Sequence, residues 1–158
     1  MDDFSIPNRS SLWNVGNFTP NIIKPGKRPL SSMSPMVVLR DGKPLLIIGA
    51  SGGTRIISAV LQTLYRLLLL QRPPLDSVSS PRLHQNFLPS TIFYENFTSQ
   101  RMTWTYNNSD LAYLAAQGNL NQSAQPPQGV CQFIMVDQAM GTRLAVSDPR
   151  KDGAPAAQ

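Results

Sequence analysis

Cysteine and histidine are nearly absent from this sequence of 158 residues, in which each occurs once. With Cys131 alone, no disulfide can form within the chain, and we expect this residue to be a small buried hydrophobic side chain in the apolar run VCQFIMV. With His84 alone, a metal site with several His or Cys ligands is excluded, and a structural hydrogen-bonding role is expected. We therefore expect neither a metal nor a cofactor.

Long apolar runs are also missing. The longest candidate, from Ile56 to Leu70, is too short for a membrane span and is broken by Ser58, Gln62, Thr63 and Arg66. The opening MDDFSIPN has neither the basic start nor the apolar core of a secretory signal peptide. Five sequons nevertheless indicate a glycoprotein in a secretory or extracellular context, at Asn8, Asn17, Asn96, Asn107 and Asn121. Sequons in a sequence without a signal peptide suggest that it is the C-terminal part of a longer precursor.

Clusters of basic residues are sparse although the net charge is +5. The fourteen Lys and Arg residues are scattered, and only Lys27-Arg28 and Arg150-Lys151 are adjacent. No aromatic stacking motif is interleaved with them, and no DNA-binding or RNA-binding signature is present. We therefore expect no nucleic-acid partner.

The first half of the chain predicts a loop, a hairpin and a helix. Residues 1–30 carry four spaced prolines and predict a largely extended loop, whereas residues 31–158 predict layers of sheet and helix. The runs MVVL (36–39) and LLII (45–48) flank Asp41-Gly42, a strong hairpin signal. Both runs are apolar throughout, so both faces of the strands should be covered. Helical spacing from Ile56 to Leu68 predicts a buried helix that ends before Pro73.

Shorter elements follow in the second half. We predict a turn of helix over Leu75–Ser80 and a strand over Thr91–Tyr94. Ser109 or Asn108 caps a helix predicted over Asp110–Gln117, and residues 119–129 predict a loop. Val130–Val136 and Arg143–Val146 form a second predicted hairpin. Antiparallel hairpins combined with helices that cover apolar sheet faces indicate an α+β fold.

The stretch LLIIGASGGT, at positions 45–54, supports two incompatible chemical interpretations. Gly49 to Gly53 fits the G-x-S-x-G turn of α/β-hydrolases, and Ser51, Asp76 and His84 follow in the order of that triad. Against it, only seven residues separate Asp76 from His84, and a tight hairpin precedes the serine where that fold has a crossover helix. In the other interpretation, the N–H groups of Gly52 and Gly53 hold an oxyanion at a helix start. A phosphate-binding loop is excluded because its lysine is missing.

Two small polar residues, Ser31 and Ser32, lie with Met33 at the end of the loop that leads into the first predicted strand. Since a hairpin returns the chain to its starting end, we expect Ser31 and Ser32 to lie near Gly52 and Gly53. Hydroxyls and free N–H groups suit a small anionic substrate, with a carboxylate at one point and an oxyanion at the other. The alternative is that the serines form only a turn and the glycines only ease helix entry.

Five blocks resemble the C-terminal part of the γ-glutamyltransferases, also called glutathione hydrolases. They occur in the family's order and span nearly the whole chain: MDDFS at the start, PGKRPLSSMSP at 25–35, IIGASGGTRI, PRLHQNFLP at 81–89 and SDPRKDGAPA at 147–156. The resemblance implies an N-terminal-nucleophile hydrolase fold, a four-layer αββα sandwich. It also implies that residues 1–158 are the C-terminal portion of the small subunit of a self-cleaving precursor.

The same resemblance implies the roles of individual residues. A threonine at the start of the small subunit attacks the γ-glutamyl carbonyl of glutathione or a related compound, and the acyl-enzyme passes the glutamyl group to water, an amino acid or a peptide. Asp3 then binds the substrate's α-amino group, and Ser31 and Ser32 bind its α-carboxylate. Gly52 and Gly53 donate the oxyanion-hole N–H groups.

The chain also departs from the family pattern. No block that matches the threonine motif precedes MDDFS, and the C-terminus ends in Ala-Ala-Gln where the family usually has Gly-Tyr. We therefore expect an isolated chain that is inactive, with the large subunit and the rest of the small subunit as its partners, outside the cell or on its surface. A short non-catalytic relative that acts as an interaction module is the alternative.

Overall fold

The computed structural model of the chain describes residues 3–5, 19–86, 90–99, 102–127 and 129–156. The chain divides into two compact units, Met1–Ser32 and Met33–Gln158. Within the described ranges, no helix has the length and apolar character needed to cross a membrane.

The first unit is organised around a short 3₁₀ turn at Thr19–Asn21. Ser5 and Ile22 form a parallel β-bridge next to this turn, and the Ser5 N–H donates to the Asn21 carbonyl at 3.0 Å. The described residues 23–32 contain neither helix nor strand, in the manner predicted from their prolines.

The second unit contains three sheets and three α-helices in its described residues. Its strands are β1 (Met36–Arg40), β2 (Lys43–Ser51), β3 (Leu83–His84), β4 (Ile92–Glu95), β5 (Phe97–Thr98), β6 (Thr103–Trp104), β7 (Gln122–Gln125), β8 (Val130–Val136) and β9 (Arg143–Val146). Its helices are α1 (Arg55–Leu64), α2 (Pro74–Ser79) and α3 (Asn108–Ala116). A π-helical turn, Tyr65–Leu69, continues α1, and a 3₁₀ turn, Pro149–Lys151, follows β9.

The largest sheet has the strand order β1-β2-β8-β9, and all its neighbours are antiparallel. Both predicted hairpins are therefore confirmed. Asp41 and Gly42 have φ values of 52° and 74°, the left-handed pair that a tight hairpin requires. The strands of the first hairpin are longer than predicted, and β2 extends to Ser51, which pairs with Val130, whereas β8 and β9 have the predicted bounds.

One face of this sheet carries the hydrophobic core. Leu46 and Ile48 of β2 pack with Phe133 of β8 against Ile56 and Val60 of α1. Cys131 belongs to the same cluster and is fully buried, which confirms the prediction made for it. Burial raises the pKa of the Cys131 thiol.

The opposite face of the sheet is apolar but uncovered by the described residues. Val37, Ile47 and Ile134 are directly paired across β1, β2 and β8, so their side chains form one row. They are 60%, 46% and 40% exposed. The prediction that both faces of the hairpin are covered is therefore not met within this part of the chain.

The structure corrects two predictions for residues 107–129. Gln122–Gln125 is a strand, β7, paired in parallel with β4, whereas this stretch was predicted to be a loop. The helix cap is Asn107 rather than Ser109 or Asn108, because the Asn107 side chain accepts the Asp110 N–H at 2.8 Å while its own backbone is extended. The helices predicted near 56–68 and 75–80 are confirmed with shifted ends.

Candidate active site

The turn between β2 and α1 is built by two glycines with positive φ. Gly52 has a φ of 136° and Gly53 a φ of 62°, values that a side chain disfavours. The Gly52 carbonyl accepts the Arg55 N–H at 3.3 Å, and the Gly53 carbonyl accepts the Ile56 N–H at 3.1 Å. Both carbonyls are thus engaged in starting the helix. In the described part of the chain, the N–H groups of Gly52 and Gly53 donate to no backbone acceptor.

Two neighbouring backbone N–H groups at the start of a helix are suited to bind a negatively charged oxygen. The first N–H groups of any helix lack intrahelical acceptors, and the helix dipole adds positive potential at that end. Ser51 precedes them as the last residue of β2, with an exposed side chain. The turn can therefore offer backbone donors to an oxyanion, which is the chemistry of the second interpretation of LLIIGASGGT.

The start of α1 is held on two sides. The Arg55 guanidinium donates to the Gln125 side chain of β7 and lies 5.4 Å from the centre of the Phe93 ring. On the other side lies Gly129, with a φ of 82°, where an added Cβ would come within 3.0 Å of Ala59 Cβ. The glycine turn is therefore attached to a helix whose first turns have little room to move.

The triad order of Ser51, Asp76 and His84 is not assembled as a triad. The Nδ1 atom of His84 pairs with Ser58 Oγ at 2.9 Å. The Asp76 carbonyl accepts the N–H and the hydroxyl of Ser80, the residue that follows α2, and no hydrogen bond joins the Asp76 side chain to His84 in the described residues. The structural hydrogen-bonding role predicted for His84 is confirmed.

The surroundings of His84 disfavour its charged form. Burial lowers the pKa of His84, and the positive charge of Arg55 lowers this pKa further. The adjoining cavity, lined by residues that include Phe93 and Gln125, has a volume of about 20 Å³. A space of this size is too small for a γ-glutamyl compound, and within the described residues the His84 side chain forms a hydrogen bond with Ser58.

In the first unit, a buried asparagine joins two of the predicted substrate-binding segments. Asn21 Nδ2 donates to the Asp3 carbonyl at 2.7 Å, and Asn21 Oδ1 accepts the Leu30 N–H at 2.8 Å. Leu30 immediately precedes Ser31, which is exposed, and Ser32, which is half-buried. Sequence reasoning missed Asn21, because a single asparagine carries no local signal for a contact 18 residues away.

Gly52 and Gly53 belong to the other unit. Their proximity to Ser31 and Ser32 stays a prediction.

A buried network of charges connects two of the sequence blocks that carry the family resemblance. Arg82, from the block at 81–89, donates to Asp148 Oδ2 at 2.8 Å and to the Gly129 carbonyl. Arg150, from the block at 147–156, donates to Asp148 Oδ1 at 3.0 Å and to Glu95 Oε2 at 2.6 Å. Sequence reasoning gave these charged residues no role, and the network shows that they hold the C-terminal segment against the rest of the second unit.

The charges in this network compensate one another. Burial acts to lower the pKa of Arg150, but the hydrogen bonds and charges of Glu95 and Asp148 outweigh it, and the pKa of Arg150 lies above its usual value. The Cys131 N–H donates to the same Asp148 oxygen as Arg82, at 2.9 Å. Asp148 therefore links the C-terminal segment to β8.

The larger cavities lie away from the glycine turn. A groove of about 620 Å³ is lined by Met135, Asp137 and Met140 at the end of β8 that is remote from Val130, the partner of Ser51. A groove of about 630 Å³ lies between Tyr65 and Tyr106. Among the described residues, no three His, Cys, Asp or Glu side chains come together in a group that could hold a metal ion.

Comparisons with known proteins agree with one another. The family model described as gamma-glutamyltranspeptidase matches residues 1–158. Glutathione hydrolase 2 of Arabidopsis thaliana is 39% identical over 98% of this chain and 28% of its own length. The glutathione hydrolase proenzyme of Escherichia coli K12 is 34% identical over 95% of this chain and 24% of its own length. The chain thus spans about a quarter of the length of these curated relatives.

A solved structure shows the same fold. A mutant γ-glutamyltranspeptidase of Helicobacter pylori superposes with a TM-score of 0.82 at 33% identity, over 95% of this chain and 78% of that one. The α+β fold and its assignment to the N-terminal-nucleophile hydrolases are therefore confirmed.

Proposed function

This chain belongs to the γ-glutamyltranspeptidase family, and we propose that it is the C-terminal part of a glutathione hydrolase. The complete enzyme cleaves the γ-glutamyl bond of glutathione and related compounds and transfers the glutamyl group to water, amino acids or peptides. The observation that carries this proposal is the turn at Gly52 and Gly53, whose N–H groups lie at a helix start without backbone acceptors among the described residues.

The reaction divides its tasks between this chain and the segments upstream of it. A threonine hydroxyl supplied from upstream attacks the γ-carbonyl carbon, and the threonine's own amine takes the hydroxyl proton. The carbonyl oxygen becomes an oxyanion, which the N–H groups of Gly52 and Gly53 stabilise. The C–N bond then breaks as the threonine's protonated amine gives its proton to the leaving amine. Water or an acceptor amine attacks the acyl-enzyme, and the ester bond breaks so that the threonine hydroxyl is restored.

Substrate recognition falls to the first unit. The negative charge of Asp3 complements the substrate's α-ammonium group, and the hydroxyls of Ser31 and Ser32 complement its α-carboxylate. The hydrogen bonds of Asn21 to the Asp3 carbonyl and the Leu30 N–H support this assignment, because they connect the two segments. Neither task needs a metal or a cofactor.

The partners of the chain are the large subunit and the remainder of the small subunit. The exposed apolar row of Val37, Ile47 and Ile134 supports this proposal, because a face of this kind gains stability when a second layer covers it. A location on the cell surface or outside the cell is supported by the exposure of the three sequon asparagines that lie in the described residues, Asn96, Asn107 and Asn121. We expect exposed asparagines of this kind to carry glycans if the precursor is secreted.

The test compares hydrolysis of γ-glutamyl 4-nitroanilide by the 158-residue chain and by a precursor form. In the precursor form, the chain follows its own upstream sequence or the corresponding upstream part of the Escherichia coli relative. We expect the precursor form to hydrolyse the anilide and the 158-residue chain not to, since the nucleophile comes from upstream. Appreciable turnover by the chain alone, or none by the precursor form with correct processing, contradicts the proposal.

A second candidate function is that of a non-catalytic interaction module. It is favoured by the same exposed apolar row, which could bind a different protein. The coding sequence upstream of Met1 distinguishes the two. An in-frame continuation that ends in the family's threonine motif supports the enzyme, whereas a stop codon supports the module.

A further inference from the structure

Asn21 is a buried polar residue whose side-chain nitrogen and side-chain oxygen both form hydrogen bonds. Its Nδ2 donates to the Asp3 carbonyl at 2.7 Å and to Ser5 Oγ at 3.3 Å, and its Oδ1 accepts the Leu30 N–H at 2.8 Å. Its backbone carbonyl accepts the Ser5 N–H as well. One residue therefore provides hydrogen-bond partners for polar groups of two segments, one that precedes it in the sequence and one that follows it.

These two segments lead to the groups proposed to recognise the substrate. The first contains Asp3 itself, and the second ends at Leu30, next to Ser31. In the described part of the first unit, the 3₁₀ turn at Thr19–Asn21 and the bridge between Ser5 and Ile22 are its regular elements. The Asn21 side chain joins these two segments directly, so it contributes to their relative position.

We propose that Asn21 is a positioning residue for γ-glutamyl recognition. It sets the spacing between the group that binds the α-ammonium, at Asp3, and the group that binds the α-carboxylate, at Ser31 and Ser32. The inference rests on the proposed function. It adds a residue that contributes to recognition of the substrate's α-amino and α-carboxyl groups without contacting them. Asn21 does so by fixing the distance between the protein groups that bind these two opposite charges.

The chemistry of the amide fits this task. A primary amide is neutral at all ordinary pH values and presents a donor and an acceptor on opposite sides of one rigid plane. It can therefore hold a carbonyl on one side and an N–H on the other without placing a charge near either ion-binding group. An alanine at position 21 leaves the Asp3 carbonyl and the Leu30 N–H without these partners, so each segment can shift separately.

The experiment measures kcat/KM of the precursor form on three 4-nitroanilides. These are the γ-glutamyl compound, the glutaryl compound, which lacks the α-amino group, and the 4-aminobutyryl compound, which lacks the α-carboxylate. The ratio of the first to the second reports recognition of the ammonium, and the ratio of the first to the third reports recognition of the carboxylate. In Asn21→Ala we expect both ratios to fall about tenfold or more, because the γ-glutamyl compound loses recognition of both groups and each truncated compound loses recognition of only the one that it carries.

Asn21→Asp distinguishes the contribution of the side-chain donor from that of the side-chain acceptor. The carboxylate keeps an acceptor for the Leu30 N–H but loses the donor to the Asp3 carbonyl. We expect the ammonium ratio to fall and the carboxylate ratio to stay near the wild-type value. As a control, Asn119→Ala removes a half-buried asparagine of the second unit, whose Nδ2 donates to the Leu114 carbonyl at 3.2 Å, and it should leave both ratios unchanged.

The outcomes distinguish this inference from the proposed function. A wild-type precursor form that shows no preference for the γ-glutamyl compound overturns the proposed function, and the role of Asn21 with it. Wild-type preference that survives in Asn21→Ala overturns the positioning role alone. A uniform loss on all three compounds in both variants means that Asn21 serves only folding, and it also overturns the inference.

Discussion

The Asp148 carboxylate and the Arg82 guanidinium meet at 2.8 Å, although 66 positions separate them in the sequence. Neither side chain is more than 3% exposed. Removing one member of such a pair leaves an uncompensated buried charge. This relationship makes Asp148 a position in the second unit where a single substitution should cost much stability.

Asp148→Ala should lower the free energy of unfolding by about 3–5 kcal/mol, since Arg82, Arg150 and the Cys131 N–H all lose an acceptor. Chemical denaturation of the precursor form measures this loss. Asp76→Ala is the control, because Asp76 is exposed in the first turn of α2, and it should cost about 1 kcal/mol or less. Equal effects of the two substitutions would contradict the importance given to the buried network.

Ser31 and Ser32 test the carboxylate site. Replacing both by Ala in the precursor form should raise KM for γ-glutamyl 4-nitroanilide by about tenfold or more, because two neutral donors to a charged group are lost. Since the hydroxyls bind the substrate rather than the reacting atoms, the effect on kcat should be smaller. Unchanged KM and kcat would remove both serines from the site.

The two interpretations of LLIIGASGGT make opposite predictions for Ser51. In Ser51→Ala, most of the activity should remain, since the hydroxyl is exposed and His84 is paired with Ser58. In Gly52→Ala, activity should fall by about tenfold or more, because a φ of 136° disfavours a side chain and the oxyanion donors are displaced. If Ser51→Ala abolished activity in a folded protein, the serine nucleophile would have to be reconsidered.

His84 should make stability depend on pH. Its pKa in the folded state lies below the usual value of 6.5, so the folded state binds the proton less readily than the unfolded state does. Stability is then highest above about pH 6.5 and falls as the pH drops below that value, until the folded state is protonated as well. The difference in Tm between about pH 7.5 and pH 5.5 should be smaller in His84→Gln than in the wild type. An equal difference in both proteins would rule out this contribution of His84.

Local patterns predicted the elements that local physics determines. Helical periodicity located α1, and the Asp41-Gly42 turn located the first hairpin, since both signals depend on neighbours in the sequence. The π-helical turn at Tyr65–Leu69 escaped prediction. Its defining hydrogen bond joins the Leu70 N–H to the Tyr65 carbonyl, five residues earlier, where an α-helix has a spacing of four. The apolar periodicity of the sequence gives no sign of this change.

The elements that were missed depend on distant partners. β7 reads QSAQ, a polar stretch without alternation, and it is a strand because β4 pairs with it in parallel from 30 residues earlier in the register Ile92 to Gln122. The roles of Arg82, Asp148 and Asn21 are tertiary in the same sense. The glycine turn is visible as a pattern, but its assignment as an oxyanion hole came from the family resemblance, since the pattern alone allowed two chemistries.

The pairing of β2 with β8 has a consequence for how the protein is made. During synthesis β2 leaves the ribosome long before β8, so one edge of a strongly apolar strand stays unpaired until the last part of the chain emerges. An unpaired apolar edge is a template for pairing with other chains. A premature stop just before β8 would therefore release an aggregation-prone product, and a chaperone that covers this edge should raise the yield of soluble protein.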